Sequence, residues 1–183
     1  MRNTGKNLLQ FVPDFTVIDL EMTGRGNGVG DITEISGIRY RNYEPVERFT
    51  KLIKATRKVL PFVVEMTGIS DEMLLGAPRI EAVIKDFVEF LGNDIILGHN
   101  VDFDLGMVDK AYREVHGKGL NHNHIDTLRI SRLLNDDSEN HKLETLCKYF
   151  DVVRLLGHRG IEDCEQTAQV YIKMRDKYTL LAG

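Results

Sequence analysis

The sequence contains little cysteine, no long apolar run and no excess of basic residues, and each absence narrows the possible functions. Its two cysteines, Cys147 and Cys164, are too few for a disulfide framework, so we expect them to be packing residues in a reducing cytoplasm. No run of about eighteen apolar residues is present, and Met1 to Gln10 has no apolar signal core, which predicts a cytoplasmic protein without a membrane partner. A formal net charge of −4 excludes binding of nucleic acid by bulk positive charge alone.

The chain is long enough for one sizeable core, because 42% of its 183 residues are hydrophobic, and we therefore expect a single domain over residues 1–183. Strand patterns are found at about 14–20, 31–40, 46–54, 94–97 and 122–125. Helical spacing predicts short turns over 61–75 and helices at about 78–91, from after Asn100 to about 115, 126–134, 142–150 and 162–178. Three successive strands indicate an antiparallel meander. The later alternation of strands and helices indicates parallel pairing, and thus an α/β fold.

The first strand carries two acids at the end of an apolar run, Phe15-Thr-Val-Ile-Asp-Leu-Glu-Met-Thr-Gly24. Since side chains alternate along a strand, Asp19 and Glu21 point to the same face. Two like charges on a buried strand raise each other's pKa and lose hydration, so they require compensation, for which a divalent cation is suited. A solvated strand end is the alternative interpretation of this stretch.

Two later helices begin with acids on their inward faces. Asp104 begins a stripe of inward positions in the helix after Asn100, and Asp163 holds the same place in the last helix. The helix dipole favours a carboxylate in the first turn. We interpret Asp102, just before Asp104, as an N-cap. His158 lies on a glycine-flanked loop before the last helix, where a histidine could accept a proton near neutral pH.

Three other patterns are less informative. The glycine-rich loop from Gly24 to Gly30 is followed by a strand and not by a helix, which favours a hairpin connection over a nucleotide cradle. The pair His122 and His124 fits strand alternation in a solvated loop better than a zinc site. A run of basic residues is most simply a solvated surface, with guidance of a phosphate backbone as the alternative; it comprises Arg48, Lys51, Lys54, Arg57 and Lys58.

Three of these segments together resemble the exonuclease motifs of a known family. The first is the strand segment from Phe15 to Gly24, and the others are Gly98-His-Asn-Val-Asp-Phe-Asp104 and His158-Arg-Gly-Ile-Glu-Asp163. In this order and spacing they resemble the DEDD family, histidine subgroup, of DnaQ-like 3′-5′ exonucleases. The resemblance extends from about 14 to 171. It is closest to the epsilon proofreading subunit of bacterial DNA polymerase III and to the exonuclease domain of Gram-positive PolC.

The resemblance implies a ribonuclease H-like mixed five-stranded sheet flanked by helices. It implies that two divalent metal ions, Mg²⁺ or Mn²⁺, are bound by four carboxylates, and that His158 is the general base; the carboxylates are those of Asp19, Glu21, Asp104 and Asp163. All-oxygen ligands suit these metals. Met22 and Thr23 take the place where the family binds the terminal nucleotide. Thr67 stands where epsilon-like sequences often have histidine, which leaves the substrate details open.

Three functions remain open at this point. The first is a 3′-5′ DNA exonuclease that acts on nucleic acid 3′ ends, mostly single-stranded, in proofreading or repair. An RNA exonuclease of oligoribonuclease or RNase T type is the second, because no motif reports recognition of a 2′-hydroxyl. A catalytically silent nucleic-acid-binding module is the third. The presence of all four carboxylates and of His158 argues against it. The short segment after the last helix favours a stand-alone exonuclease, or one that docks on a DNA polymerase through its folded surface.

Overall fold

A computed structural model of the protein describes residues 5–24, 30–153 and 159–182. These residues form strands β1 (Phe15–Met22), β2 (Ile32–Arg41), β3 (Glu44–Leu52), β4 (Ile96–Gly98) and β5 (His124–Asp126). They also form helices α1 (Pro61–Thr67), α2 (Asp71–Leu74), α3 (Ile80–Leu91), α4 (Asp102–His116), α5 (Thr127–Leu134), α6 (Leu143–Tyr149) and α7 (Gly160–Ala182). In these parts of the chain no helix has the length and apolar character needed to cross a membrane.

The five strands form one mixed sheet in the order β3-β2-β1-β4-β5. β1 pairs antiparallel with β2, and β2 pairs antiparallel with β3 through a tight turn at Asn42 and Tyr43, whose φ angles of 51° and 65° suit a two-residue hairpin. β4 pairs parallel with β1 and with β5. The predicted meander and parallel half are therefore both confirmed, and so is the hairpin that joins β1 and β2, although residues 25–29 of that connection lie outside the described residues.

Helices cover both faces of the sheet. Ile18 and Leu20 of β1 point into a core shared with α3 and α4. Phe15 and Val17 point the opposite way, into a core shared with α5, α6 and α7. Because alternate residues of a strand share a face, Asp19 and Glu21 continue the row of Phe15 and Val17 on the α7 face. The sheet therefore presents both acids beneath α7. Both cysteines are free and buried in this second core, as expected.

Several predicted boundaries shift for local reasons. The helix predicted from residue 78 begins at Ile80, because Arg79 has an extended backbone with ψ of 158°. The last helix is longer than 162–178. The third strand begins at Glu44 and ends at Leu52, since the tight turn brings the chain back into the ladder at once.

Two interpretations are wrong. Asp102 is not the N-cap of α4, because Val101 holds that position in a helical conformation and Asp102 is the first helical residue. Its carboxylate Oδ1 instead lies 2.9 Å from Nε2 of His124. His124 is buried and not in a solvated loop, since its backbone exchanges hydrogen bonds with Lys6 and Leu8 of the N-terminal segment. This segment thus pairs with β5 at His124.

Candidate active site

The structure brings together acids from the central strand and from the start of α7. One carboxylate oxygen from each of Asp19, Glu21 and Asp163 lies within 4.8 Å of the others. Asp104 approaches from the start of α4, where the backbone amide of Leu20 hydrogen-bonds to its carboxylate. The charge of Asp104 is also the strongest charge effect on the pKa of Asp19. All four acids predicted to form the site therefore lie at the carboxyl end of β1.

This location follows from the topology. β1 and β4 are parallel neighbours, so the chain leaves both at the same edge of the sheet. α4 begins just after β4, and α7 returns over the opposite face with its first turn close to β1 and β2. A crevice outside the carboxyl ends of the strands is the usual ligand site in open α/β sheets.

The acids carry more negative charge than the protein compensates. Burial, followed by the charges of Asp104, Glu21 and Asp163, raises the pKa of Asp19 well above its ordinary value. Burial and the charge of Asp163 raise the pKa of Glu21 to about 8, and burial raises that of Asp104 to about 7. A divalent cation neutralises such a cluster and lets the carboxylates ionise at neutral pH. Since the donors are all oxygens, the cluster fits Mg²⁺ or Mn²⁺.

Asp126, which the sequence analysis did not select, supports the turn before α4. Its Oδ1 accepts the backbone N–H of Asn100 at 2.8 Å and that of Leu128 at 2.9 Å. The first bond holds Asn100, whose φ is 63°, and the second caps α5. An acid at the start of a predicted helix is a recognisable capping signal, but the bond from Asp126 to Asn100 joins residues 26 apart in sequence and has no local signal.

Met22 and Thr23 follow the acidic pair and are both buried. The side chain of Met22 packs into the α3–α4 core. Thr23 donates its backbone N–H to the carbonyl of Asp31 at 2.9 Å, and its own carbonyl accepts the N–H of Leu60 at 2.9 Å. The end of β1 is thereby joined to the segment that leads into α1.

His158 lies outside the described residues, which resume at Arg159. Arg159 forms an ion pair with Glu34 of β2, with 2.5 Å between Nη2 and Oε1. Sequence reasoning missed Glu34. The only local signal for Glu34 is that an acid stands between Thr33 and Ile35 in a predicted strand. Its pairing with an arginine 125 residues away depends on the tertiary fold.

The basic residues of the β3 region are exposed, as the simpler interpretation expected. Arg48 forms an ion pair with Glu165 of α7, and Arg57 Nε lies 3.9 Å from Asp31 Oδ1. These two arginines therefore already have acidic neighbours.

The sheet topology and the acids at the carboxyl end of its central strand define a ribonuclease H-like nuclease. The exonuclease family designated RNase_T matches residues 16–171, and the chain belongs to this family. The resemblance of the sequence to DnaQ-like exonucleases is thereby confirmed.

Two relatives are PolC-type DNA polymerases III. That of Bacillus subtilis (strain 168) is 36% identical over 161 residues, which are 87% of this chain and 11% of that protein. That of Caldanaerobacter subterraneus subsp. tengcongensis is 33% identical over 174 residues, covering 95% of this chain and 12% of that protein. The chain thus spans only a small part of the length of these relatives.

Solved structures share the fold. Exonuclease X in complex with 5′ overhanging duplex DNA has a TM-score of 0.70 and 24% identity, covering 90% of this chain and 93% of that chain. Escherichia coli exonuclease I in complex with a dT13 oligonucleotide has a TM-score of 0.77 and 19% identity, covering 93% of this chain and 42% of that chain. The predicted mixed five-stranded sheet flanked by helices is therefore confirmed.

Proposed function

We propose that this protein is a metal-dependent 3′-5′ exonuclease that hydrolyses DNA from its 3′ end and releases nucleoside 5′-monophosphates. One observation carries the proposal: Asp19, Glu21 and Asp163 place carboxylate oxygens within 4.8 Å of one another in a chain of the exonuclease family. Asp104 completes the set from the start of α4.

The four carboxylates act as metal ligands in this proposal. When two divalent cations are bound, they supply activation of the attacking water and neutralisation of charge on the leaving 3′ oxygen. Asp19 would hold metal together with the other three acids, and the charges of Asp104, Glu21 and Asp163 act on it. His158 serves as the general base, and Met22 and Thr23 contribute to binding of the terminal nucleotide.

Single-stranded DNA is the proposed substrate. The relatives that match most of this chain are DNA polymerases, and E. coli exonuclease I was solved with a DNA oligonucleotide. A role in proofreading or repair, association with a DNA polymerase, and a single catalytic domain over residues 1–183 belong to the same proposal.

The test is an incubation of purified protein with 5′-labelled single-stranded DNA, a mismatched primer duplex and short RNA, each with Mg²⁺, Mn²⁺ or chelator. We expect ladders that shorten from the 3′ end of DNA with metal only, and release of labelled mononucleotide when the label is moved to the 3′ end. Degradation of RNA alone supports the RNA exonuclease. Binding of all three polymers without cleavage supports the silent module.

A further inference from the structure

The start of α7 is held on β2 by a buried carboxylate. Glu34 is 1% exposed, and its two oxygens accept both side-chain and backbone hydrogens from the residues at this helix start. Arg159 donates from Nη2 to Oε1 at 2.5 Å and from Nε to both oxygens at 3.2 Å, while the backbone N–H of Gly160 donates to Oε2 at 2.9 Å. A bidentate arginine and a helix amide together fix the direction as well as the position of the helix.

Glu34 adds a negative charge beside the acids of β1, where it is electrostatically unfavourable. It is the cross-strand partner of Glu21, and its charge raises the pKa of both Glu21 and Asp19. Like charges directly opposite each other destabilise a β-ladder. Because Arg159 and Gly160 occupy both oxygens, Glu34 is committed to α7 and is not available as a further metal ligand.

The contact between α7 and the sheet is also close in the steric sense. A Cβ added at Gly160 would lie 2.9 Å from Oγ and 3.0 Å from Cβ of Ser36, and 3.4 Å from Oδ2 of Asp19. Ser36 is the cross-strand partner of Asp19. Only glycine therefore allows the helix start to approach the strand pair at this distance.

We propose that Glu34 is a positioning residue that fixes the first turn of α7, and with it the Asp163 carboxylate, against Asp19 and Glu21. Asp163 is three residues beyond Gly160, and its backbone N–H donates to the carbonyl of Arg159 at 3.0 Å. Any shift of Arg159 is therefore passed to the acid within one helical turn. This inference rests on the proposed exonuclease function, because it assigns Asp163 to the reacting centre.

Glu34→Gln is the main test variant, because it retains the shape of the side chain but removes the charge that holds the guanidinium. Arg159→Met is less suitable on its own, since it leaves a buried, unpaired carboxylate that can unfold the protein. Glu34→Gln leaves Arg159 able to reach water, because 38% of its side chain is exposed. A double variant, Glu34→Gln with Arg159→Met, tests whether the two residues act as one unit.

Asp109→Asn is the matched control. Asp109 is a buried carboxylate that accepts Arg113 Nε at 2.8 Å and the backbone N–H of Leu120 at 2.7 Å. It thus repeats the combination of an arginine and a backbone amide, but in the middle of α4. A general effect of neutralising a buried carboxylate must appear in both variants.

Three measurements are made on the full chain: kcat and KM on labelled single-stranded DNA, Mn²⁺ affinity by electron paramagnetic resonance without DNA, and hydrogen exchange of the backbone amides. For Glu34→Gln we expect a 10- to 100-fold lower kcat, the range usual for residues that orient metal ligands. KM for DNA should change less than kcat. Mn²⁺ affinity should fall, and exchange should accelerate at Glu162 and Asp163 but not along β1.

For Asp109→Asn we expect a lower melting temperature with unchanged kcat, Mn²⁺ affinity and exchange at Asp163. The double variant should be no worse than Glu34→Gln alone. Unchanged kcat and Mn²⁺ affinity in Glu34→Gln, or equal losses in Asp109→Asn, would overturn the inference. If the unmodified protein cleaves no substrate, the proposed function fails, whereas the exchange at Asp163 still decides whether Glu34 positions α7.

Discussion

At the scale of single residues, the site is defined by carboxylates that the protein leaves without enough positive charge. Burial raises the pKa of Asp19, Glu21 and Asp104. Repulsion within the cluster adds to the rise at Asp19 and Glu21, and Arg159 opposes it at Glu21 only in part. Acids with such strongly raised pKa values occur mainly at functional sites. The cluster therefore indicates a binding site for a cation and not a role in stabilising the fold.

Asp19→Asn tests this interpretation. We expect kcat to fall by at least about 100-fold, because a lost metal ligand removes several kcal/mol of transition-state stabilisation. The fold should persist, since the change removes a charge from a crowded cluster and keeps the size of the side chain. Activity assays and circular dichroism measure the two effects, with Asp109→Asn as the control. A collapsed spectrum would instead make Asp19 a structural residue.

At the scale of elements, helix starts and helix packing determine the position of the acids. α3 is fixed to the sheet by aromatic packing, in which the ring centroid of Phe49 lies 5.2 Å from that of Phe87 and 5.5 Å from that of Phe90. α4 packs on α3 within the same core. The position of Asp104 at the start of α4 thus depends on the packing of α3.

Phe87→Ala should lower the free energy of unfolding by about 3–5 kcal/mol, because it opens a cavity in this core. Leu75→Ala is the control, since Leu75 is 71% exposed and its truncation should change stability by less than about 0.5 kcal/mol. Urea titrations followed by circular dichroism measure both. Equal effects of the two changes would show that α3 does not carry the core.

The cap of α5 is a second test at this scale. Asp126→Ala removes the acceptor for the amides of Leu128 and Asn100, so we expect a loss of about 1–2 kcal/mol from the cap. Since Asn100 precedes α4, kcat should fall as well. Ser138→Ala removes only a hydrogen bond from Ser138 Oγ to the carbonyl of Asn140 and should leave kcat unchanged. Chemical denaturation and the exonuclease assay are the measurements. Full activity in Asp126→Ala would show that the turn before α4 holds without this bond.

At the scale of the whole molecule, metal and stability are linked through pH. Folding raises the pKa of Glu21 from 4.5 to about 8. In chelator, the folded protein therefore keeps a proton that the unfolded chain has already lost in this pH range. The free energy of unfolding should therefore fall as pH rises from about 4.5 to 8, by on the order of a few kcal/mol. Mn²⁺ should restore it, and more at pH 8 than at pH 5, because binding requires deprotonated ligands.

Thermal unfolding between pH 5 and 8.5, with chelator or with Mn²⁺, measures this dependence. Glu21→Gln should flatten the profile recorded in chelator, because one of the acids whose pKa is raised no longer titrates. A melting temperature that rises with pH in chelator would contradict the assignment of excess charge to the acid cluster.

The sequence by itself determined the local part of this arrangement. Alternation along β1 placed Asp19 and Glu21 on one face, and helical spacing placed Asp104 and Asp163 on inward stripes, because the periods of strand and helix depend only on neighbouring residues. The meander and the crossovers followed from the order of elements. The similarity of three motifs to one family then indicated that the four acids meet.

Tertiary structure alone decided which distant residues pair with each other in the fold and around the site. The pairing of Glu34 with Arg159, the bond from Asn100 to Asp126 and the contact of Asp102 with His124 join residues that are far apart in sequence. Their partners are set by strand register and helix docking, which depend on the packing of the whole sheet. Periodicity tells on which face a side chain lies; the packed fold decides what it meets there.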